Sequence, residues 1–163
     1  MTDHRSSRRQ ALGWLGGAGS FLALASRSQA AEGRTYRVVH GDAEWRRRLS
    51  HEQYRILREG GTERAFSSSL NGEKRAGTFA CAGCGNALYS SRAKFDSGTG
   101  WPSFWQPLAN AVVLGVDRKL GYVRTEVKCA DCGGHLGHVF DDGPEPTGKR
   151  YCIDGGALVF RAS

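Results

Sequence analysis

Residues 78–89 read TFACAGCGNALY, and this stretch combines two local patterns. The short apolar runs at its two ends are typical of β-strands. Between them, Cys81 and Cys84 are separated by two residues and are followed at once by Gly85, which suits a tight turn that directs both sulfur atoms toward one point. The stretch therefore predicts β structure built around a pair of metal-binding thiols.

The same arrangement occurs a second time, in CADCG, with Cys129 and Cys132. Two such turns together make a tetrahedral four-sulfur zinc site, and a closed site of this kind keeps no open position for a substrate. Residues 85–128 separate the two pairs, a longer gap than the about 15–20 residues of a zinc ribbon, so we expect the metal to join distant strands as a structural zinc. Two disulfides, or a redox pair of the thioredoxin type, are the alternative interpretations.

The remaining sequence after residue 78 consists of short runs rich in Val, Phe and Tyr, broken by Gly, Asn and Asp. This pattern predicts mainly antiparallel β structure. Before it, residues 42–49 and 50–61 predict two short helices, of which the second has a capping box formed by Ser50 and Gln53 and a C-cap at Gly60. Three apolar side chains are expected to dock the helices: Trp45, Tyr54 and Leu57.

Residues 1–30 have the organisation of an export signal. A basic start with Arg8 and Arg9 precedes an apolar segment, residues 11–25, and the small-residue end Ser28-Gln29-Ala30. The paired arginines resemble a twin-arginine signal, with an ordinary secretory signal as the alternative. The apolar segment is short and rich in Gly, which disfavours a retained membrane helix. We therefore expect one periplasmic or otherwise exported domain, residues 31–163, without stable membrane insertion after signal removal.

The net charge of +7 is concentrated at the N-terminus. Residues 1–30 contain four of the 23 basic residues and one of the 16 acidic residues, which leaves a net charge of +4 for residues 31–163. Nucleic-acid binding requires a clustered basic stripe, and the remaining sequence has no basic run interleaved with aromatic residues. We therefore expect no nucleic-acid partner.

Cys152 is the one cysteine outside the two pairs and lies in a predicted strand, KRYCID, residues 149–154. Because side chains alternate along a strand, Arg150, Cys152 and Asp154 are expected to share one face. Upstream, His135 and His138 precede two carboxylates, Asp141 and Asp142. These groups could activate a thiol and deliver a proton, although each taken singly also fits a structural role.

Three segments together resemble the type B methionine-R-sulfoxide reductases. They are GTGWPSFW at residues 98–105, HLGHVFDDGPEPTGKRYCID at residues 135–154, and the two cysteine pairs. The resemblance covers nearly all of the domain. It implies two antiparallel sheets that meet like a tent, with short N-terminal helices and zinc at one edge.

For chemistry, the resemblance implies that the Cys152 thiolate attacks the sulfur of methionine R-sulfoxide, that methionine is released, and that a cysteine sulfenic acid remains. The resemblance also implies a role for each residue of the site. Trp101 packs on the substrate methyl group and Phe104 also contacts the substrate, while His135 and His138 bind and protonate the sulfoxide oxygen. Asp142 and Arg150 orient these catalytic groups, and Asp154 is the remaining catalytic residue. The substrate is either protein-bound, which we favour, or free methionine sulfoxide.

Two positions depart from the pattern. Thr99 stands where related proteins often have a resolving cysteine, so the resemblance implies that an external thiol, either a thioredoxin-like protein or a small molecule, reduces the sulfenic acid. Asp154 stands where Asn is usual, and an ionised carboxylate opposes formation of the Cys152 thiolate. The competing hypothesis is a zinc-stabilised redox-sensing or interaction domain without sulfoxide turnover.

Overall fold

The computed structural model describes residues 35–163, so the export signal predicted at residues 1–30 lies outside the described residues. The described chain begins with two short helices, α1 at Asp42–Arg48 and α2 at His51–Leu57. The predicted capping box is confirmed, because the Ser50 side chain accepts from the Gln53 N–H and the Gln53 side chain accepts from the Ser50 N–H. No helix among residues 35–163 has the length and apolar content needed to cross a bilayer.

Nine strands follow, and they form two sheets in which all pairs are antiparallel. The smaller sheet has the order β2-β1-β9, with β1 at Gly77–Cys81, β2 at Ala87–Ser90 and β9 at Leu158–Ala162. The predicted mainly β class with two antiparallel sheets is confirmed.

The larger sheet has the order β3-β4-β8-β7-β6-β5. Its strands are β3 at Lys94–Phe95, β4 at Ser103–Phe104, β5 at Val112–Asp117, β6 at Arg124–Cys129, β7 at His135–Phe140 and β8 at Arg150–Ile153. Strand β8 is thus shorter than predicted, since the chain turns into a 3-10 helix, Gly155–Ala157, directly after Asp154.

A continuous apolar core joins the two sheets and the helices. The predicted docking residues of the helices, Trp45, Tyr54 and Leu57, are all buried. Phe79 from the smaller sheet packs edge-on against Phe104 from the larger sheet, with ring centroids 4.9 Å apart. Each fully buried side chain of this size contributes about 1.5–3 kcal/mol relative to its exposed state, so this packing fixes how the sheets meet.

Candidate active site and metal centre

The two cysteine pairs form turns of the same geometry at the ends of β1 and β6. Gly85 has a φ of 76° and donates its N–H to the Cys81 carbonyl at 2.8 Å, and Gly133 has a φ of 68° and donates to the Cys129 carbonyl at 2.9 Å. A positive φ is accessible to glycine without steric cost, which is why a glycine follows each pair. The tight turns predicted from the sequence are confirmed.

These turns bring the four sulfur atoms within 4.8 Å of one another. Cys81 Sγ lies 3.8 Å from Cys132 Sγ, and Cys84 Sγ lies 3.5 Å from Cys129 Sγ. A disulfide requires about 2.05 Å between sulfur atoms, and all five cysteines are free thiols. The disulfide alternative therefore does not describe this cluster, which could instead hold a metal ion.

The spacing of the sulfur atoms fits a tetrahedral ion. Zinc–sulfur bonds of about 2.3 Å place the sulfur atoms of a tetrahedron about 3.8 Å apart, close to both distances in the cluster. Hydrogen bonds from Cys132 and the other two thiols hold the pKa of Cys129 well below its usual value. Cysteines bind such an ion as thiolates, so binding of a metal here would release the remaining protons.

Cys152 lies at the centre of the larger sheet, because β8 pairs with β4 on one side and β7 on the other. Its directly opposed residues are Ser103 on β4 and His138 on β7. Gly137, beside His138, has no space for a side chain, since a Cβ there would lie 2.1 Å from the Cys152 carbonyl oxygen. The register therefore places an imidazole next to the thiol.

A pocket of about 120 Å³ opens beside this thiol. Its lining includes four of the predicted site residues and four others: Cys152, His138, Trp101 and Asp154, with Thr62, Arg124, Gly137 and Phe140. The indole of Trp101 is fixed by donating Nε1–H to the Glu63 carbonyl at 3.2 Å. The pocket thus offers a nucleophile, an imidazole and an apolar wall to one small group.

Burial raises the pKa of the Cys152 thiol, and the Asp154 carboxylate raises it further. Two groups act in the opposite direction: the Thr99 hydroxyl, whose Oγ1 lies 3.9 Å from Cys152 Sγ, and the positive charge of Arg150. Thr99, the position that departs from the family pattern, thus contacts the thiol directly. It can donate a hydrogen bond to a thiolate, but it cannot form a disulfide with it.

Arg150 is held beside the thiol by a bidentate ion pair with Asp142. The guanidinium Nε and Nη2 donate to the two Asp142 carboxylate oxygens at 2.9 and 2.8 Å. This hydrogen bonding lowers the pKa of Asp142, and the Arg150 guanidinium also lies over the Phe140 ring, 4.5 Å from its centroid. Asp142 itself is exposed and outside the pocket lining, so it acts by positioning Arg150.

His138 has a partner that sequence reasoning missed. Its Nε2 lies 2.8 Å from Asp117 Oδ2, and the same oxygen accepts from Arg124 at 2.6 Å. The N–H of Lys119, with His138 and Arg124, lowers the pKa of Asp117 to about 2. The carboxylate can therefore only accept, so Nε2 carries the hydrogen and Nδ1 is the ring nitrogen left for any further partner.

His135 is next to His138 but is not part of the lining of this pocket. Its ring is edge-on to that of His138, with centroids 5.4 Å apart, and its Nδ1 lies 2.7 Å from Glu126 Oε1. Burial acts to raise the pKa of Glu126, but the hydrogen bonds from His135 and Lys128 outweigh it and hold this pKa below its ordinary value. His135 Nε2 is buried without a hydrogen-bond partner, 3.9 Å from Asp154 Oδ2.

Asp154 is buried at the end of β8 and is held by a residue absent from the sequence-based site. The Glu63 N–H donates to Asp154 Oδ1 at 2.9 Å, and the Glu63 carboxylate accepts from the N–H groups of Gly155 and Gly156 at 2.6 and 2.9 Å. Burial raises the pKa of Asp154 to about 6. Glu63 thus fixes both Asp154 and, through its carbonyl oxygen, the indole of Trp101.

Phe104 requires a correction. The resemblance predicts that it contacts substrate, but its side chain is fully buried and stacks on Tyr89, with ring centroids 4.3 Å apart. It opposes Tyr151 across the β4–β8 pair, whereas Ser103 opposes Cys152. Directly opposed residues share a face of the sheet, so Phe104 and Cys152 lie on opposite faces, and Phe104 supports the site from the core.

One small pocket on this mainly β fold brings together a half-buried thiol, a hydrogen-bonded imidazole and an indole, and the four-cysteine cluster lies outside it. Such a grouping is typical of an enzyme site. Residues 49–162 match the family model described as the SelR domain. The chain belongs to this family, that of the methionine sulfoxide reductases MsrB.

The similarity to individual members extends over most of the described chain. The chain is 52% identical over 127 residues to the peptide methionine sulfoxide reductase MsrB of Leptospira interrogans serogroup Icterohaemorrhagiae serovar Lai (strain 56601), covering 77% of this chain and 97% of that protein. It is 58% identical over 120 residues to the protein of the same name from Thiobacillus denitrificans (strain ATCC 25259 / T1), covering 73% of this chain and 91% of that protein.

Proposed function

We propose that this protein reduces methionine sulfoxide in polypeptides to methionine, with specificity for the R epimer and with Cys152 as the nucleophile. The observation that carries the proposal is the position of Cys152 in a pocket with His138 and Trp101, in a chain that belongs to the MsrB family. The indole presents an apolar face suited to the methyl group of the substrate, and His138, Arg124 and Asp154 supply polar groups to the same pocket.

In the proposed reaction, the Cys152 thiolate attacks the sulfoxide sulfur, and the oxygen is transferred to the enzyme. The sulfur–oxygen bond of the substrate breaks, methionine leaves as the reduced product, and Cys152 is oxidised to a sulfenic acid after uptake of one proton. Arg150, held by Asp142, favours the thiolate that begins the reaction.

His138 is the group best situated to deliver the proton. Negative charge grows on the sulfoxide oxygen as its bond to sulfur breaks, so a donor fixed at that position gains strength in the transition state. Burial lowers the pKa of His138, and the hydrogen bond to Asp117 acts against this. Asp117 therefore stabilises the imidazolium that donates the proton. His135, buried next to His138, supports this ring in place.

Regeneration requires two external thiols. The first condenses with the sulfenic acid and releases water, and the second reduces the mixed disulfide, which restores the Cys152 thiol. Thr99 contacts Cys152 Sγ at 3.9 Å but cannot form the internal disulfide that a cysteine there would allow. This supports reduction by an external donor, for which we propose a thioredoxin-like protein or a small thiol.

We propose zinc as the ion held by Cys81, Cys84, Cys129 and Cys132. When bound, it supplies a cross-link between the end of β1 and the end of β6. Both pairs lie outside the lining of the Cys152 pocket, which supports a structural role.

We propose export through the twin-arginine route, based on Arg8, Arg9 and the apolar segment that follows them. This route carries folded proteins, so the metal could be loaded before the chain reaches an oxidising compartment. The test is cell fractionation of the full chain beside a variant with both arginines replaced by lysine. If the variant is exported to the same compartment as the unmodified protein, the paired arginines are not needed and this route is excluded.

The catalytic proposal is tested by incubating the full chain with the separated R and S epimers of methionine sulfoxide, with dithiothreitol as reductant, and measuring the methionine released. We expect methionine from the R epimer only, and none from Cys152→Ser, which preserves the shape of the thiol. An unmodified protein that folds, binds metal and releases no methionine would instead support the redox-sensing or interaction hypothesis.

A further inference from the structure

Trp101 is the common wall of two cavities. The first is the pocket of about 120 Å³ that contains Cys152, and the second, of about 500 Å³, is lined in part by Phe66, Lys94, Phe95 and Asp96. Ligand pockets for whole small molecules usually measure about 300–1,000 Å³. The first pocket is therefore suited to one side chain, whereas the second has room for the residues on either side of it in a polypeptide.

Phe66 is the most unusual residue of the second cavity. Its side chain is 72% exposed, and its φ is 65°, in the left-handed region. Bulky residues rarely adopt this conformation, and strained residues cluster at ligand sites. The Phe66 N–H donates to the Gly100 carbonyl at 2.7 Å, and Gly100 packs closely enough that a Cβ there would lie 2.8 Å from the Phe66 ring. The ring is thus held at the surface beside Trp101.

The charged groups of this cavity are largely committed to partners within the protein. Lys94 Nζ donates to the Asn71 carbonyl at 2.8 Å, and Asp96 Oδ1 accepts from the Gly98 N–H at 2.9 Å. Glu73 is paired with Arg75 through a contact of 2.5 Å. The aromatic side chains of Phe66, Phe95 and Trp101 therefore supply the apolar part of a lining whose other part is polar.

We infer that this cavity, with Phe66 as its platform, is a subsite for an apolar or aromatic side chain next to the methionine sulfoxide in a polypeptide substrate. The inference rests on the proposed function, since it assumes that the oxidised side chain occupies the Cys152 pocket. A chain seated there brings its neighbouring residues past Trp101, the wall that both cavities share. Contact between aromatic rings adds to the free energy of burial.

The test compares two pentapeptides that contain methionine R-sulfoxide, one flanked by Phe and one flanked by Gly, in the full chain with dithiothreitol. We expect kcat/KM to be about tenfold higher for the Phe-flanked peptide, which corresponds to about 1.4 kcal/mol. In Phe66→Asn this ratio falls close to one. Asn is chosen because it tolerates a left-handed backbone, so the change removes the ring without adding strain.

Val39→Asn is the matched control, because Val39 is 73% exposed and lies outside the lining of both cavities. In this variant we expect the ratio of kcat/KM between the two peptides to equal that of the unmodified protein. A ratio near one in the unmodified protein overturns the inference. So does a Phe66→Asn variant that keeps the preference or loses activity equally on both peptides. Failure of the unmodified protein on both peptides and on N-acetylmethionine R-sulfoxide overturns the proposed function itself.

Discussion

The substitution Asp154→Asn is expected to stabilise the protein at neutral pH. Asp154 is 3% exposed, and burial raises its pKa from an ordinary value of 3.8 to about 6. Asparagine has the same shape and can still accept the Glu63 N–H. His135 Nε2, which has no hydrogen-bond partner, lies 3.9 Å from Asp154 Oδ2, so the substitution leaves no side-chain hydrogen bond of Asp154 unmade.

The magnitude follows from the difference between the two pKa values of Asp154. Since its pKa is higher in the folded state, the folded protein binds more protons between pH 3.8 and about pH 6, and stability falls as pH rises through that range. A difference of about 2 in pKa corresponds to about 3 kcal/mol above pH 6. Contact of the carboxylate with the open pocket reduces this penalty, so we expect Asp154→Asn to add about 1–3 kcal/mol at pH 7.

Urea unfolding of both proteins between pH 4 and pH 8 measures this effect, with the difference in the free energy of unfolding largest above pH 6 and close to zero near pH 4. Asp142→Asn is the control of opposite sign, because the Arg150 hydrogen bonds lower the pKa of Asp142. Its substitution removes stability that is present at neutral pH and lost in acid. Equal stability of Asp154→Asn and the unmodified protein at pH 7 would refute the reasoning.

Four further outcomes follow from the site. In Asp154→Asn, iodoacetamide alkylation of Cys152 moves to lower pH, because a charge that opposes the thiolate is gone; an unmoved profile contradicts this. Cys84→Ser lowers stability and releases metal, measured with a chromogenic chelator, whereas a stable and fully active metal-free variant contradicts a structural metal. One equivalent of sulfoxide without reductant leaves Cys152 as a sulfenic acid trapped by dimedone in mass spectrometry, and a quantitative internal disulfide argues against external recycling. Asp117→Asn lowers the pKa of His138, so the limb of the kcat profile that reports this imidazole shifts to lower pH; an upward shift contradicts the assigned pairing.

The sequence predicted those features that depend on short spacings. A cysteine pair followed by glycine specifies its own turn, so the metal cluster could be predicted although residues 85–128 separate its halves. The capping box of Ser50 and Gln53 is equally local. Cys152, His138 and Trp101 were found through motifs, and the sheet brings them to one pocket because β4, β8 and β7 are adjacent.

The partners of the histidines could not be predicted, since they depend on strand register. Glu126 opposes His138 in the pairing of β6 with β7, yet it hydrogen-bonds His135, because the register shifts between Val127 and Lys128. The sequence does not show this irregularity, so Glu126 would be interpreted from the sequence alone as a solvent-exposed charge. The wrong role for Phe104 has the same origin, because only the register with β8 shows which face it occupies.

Strand order also has a consequence for biosynthesis. Strand β8 comes after β3 to β7 in the chain, yet it is inserted between β4 and β7 in the middle of the sheet. A chain that ends at residue 148 therefore contains all four cysteines of the cluster, but the edges of β4 and β7 that β8 covers and the edge of β1 that β9 covers are open, and open edges are prone to pairing with other chains. Residues 149–163 supply both missing strands, and they include Cys152. A polypeptide released at that point keeps the four cysteines of the cluster, lacks Cys152 and is liable to aggregate.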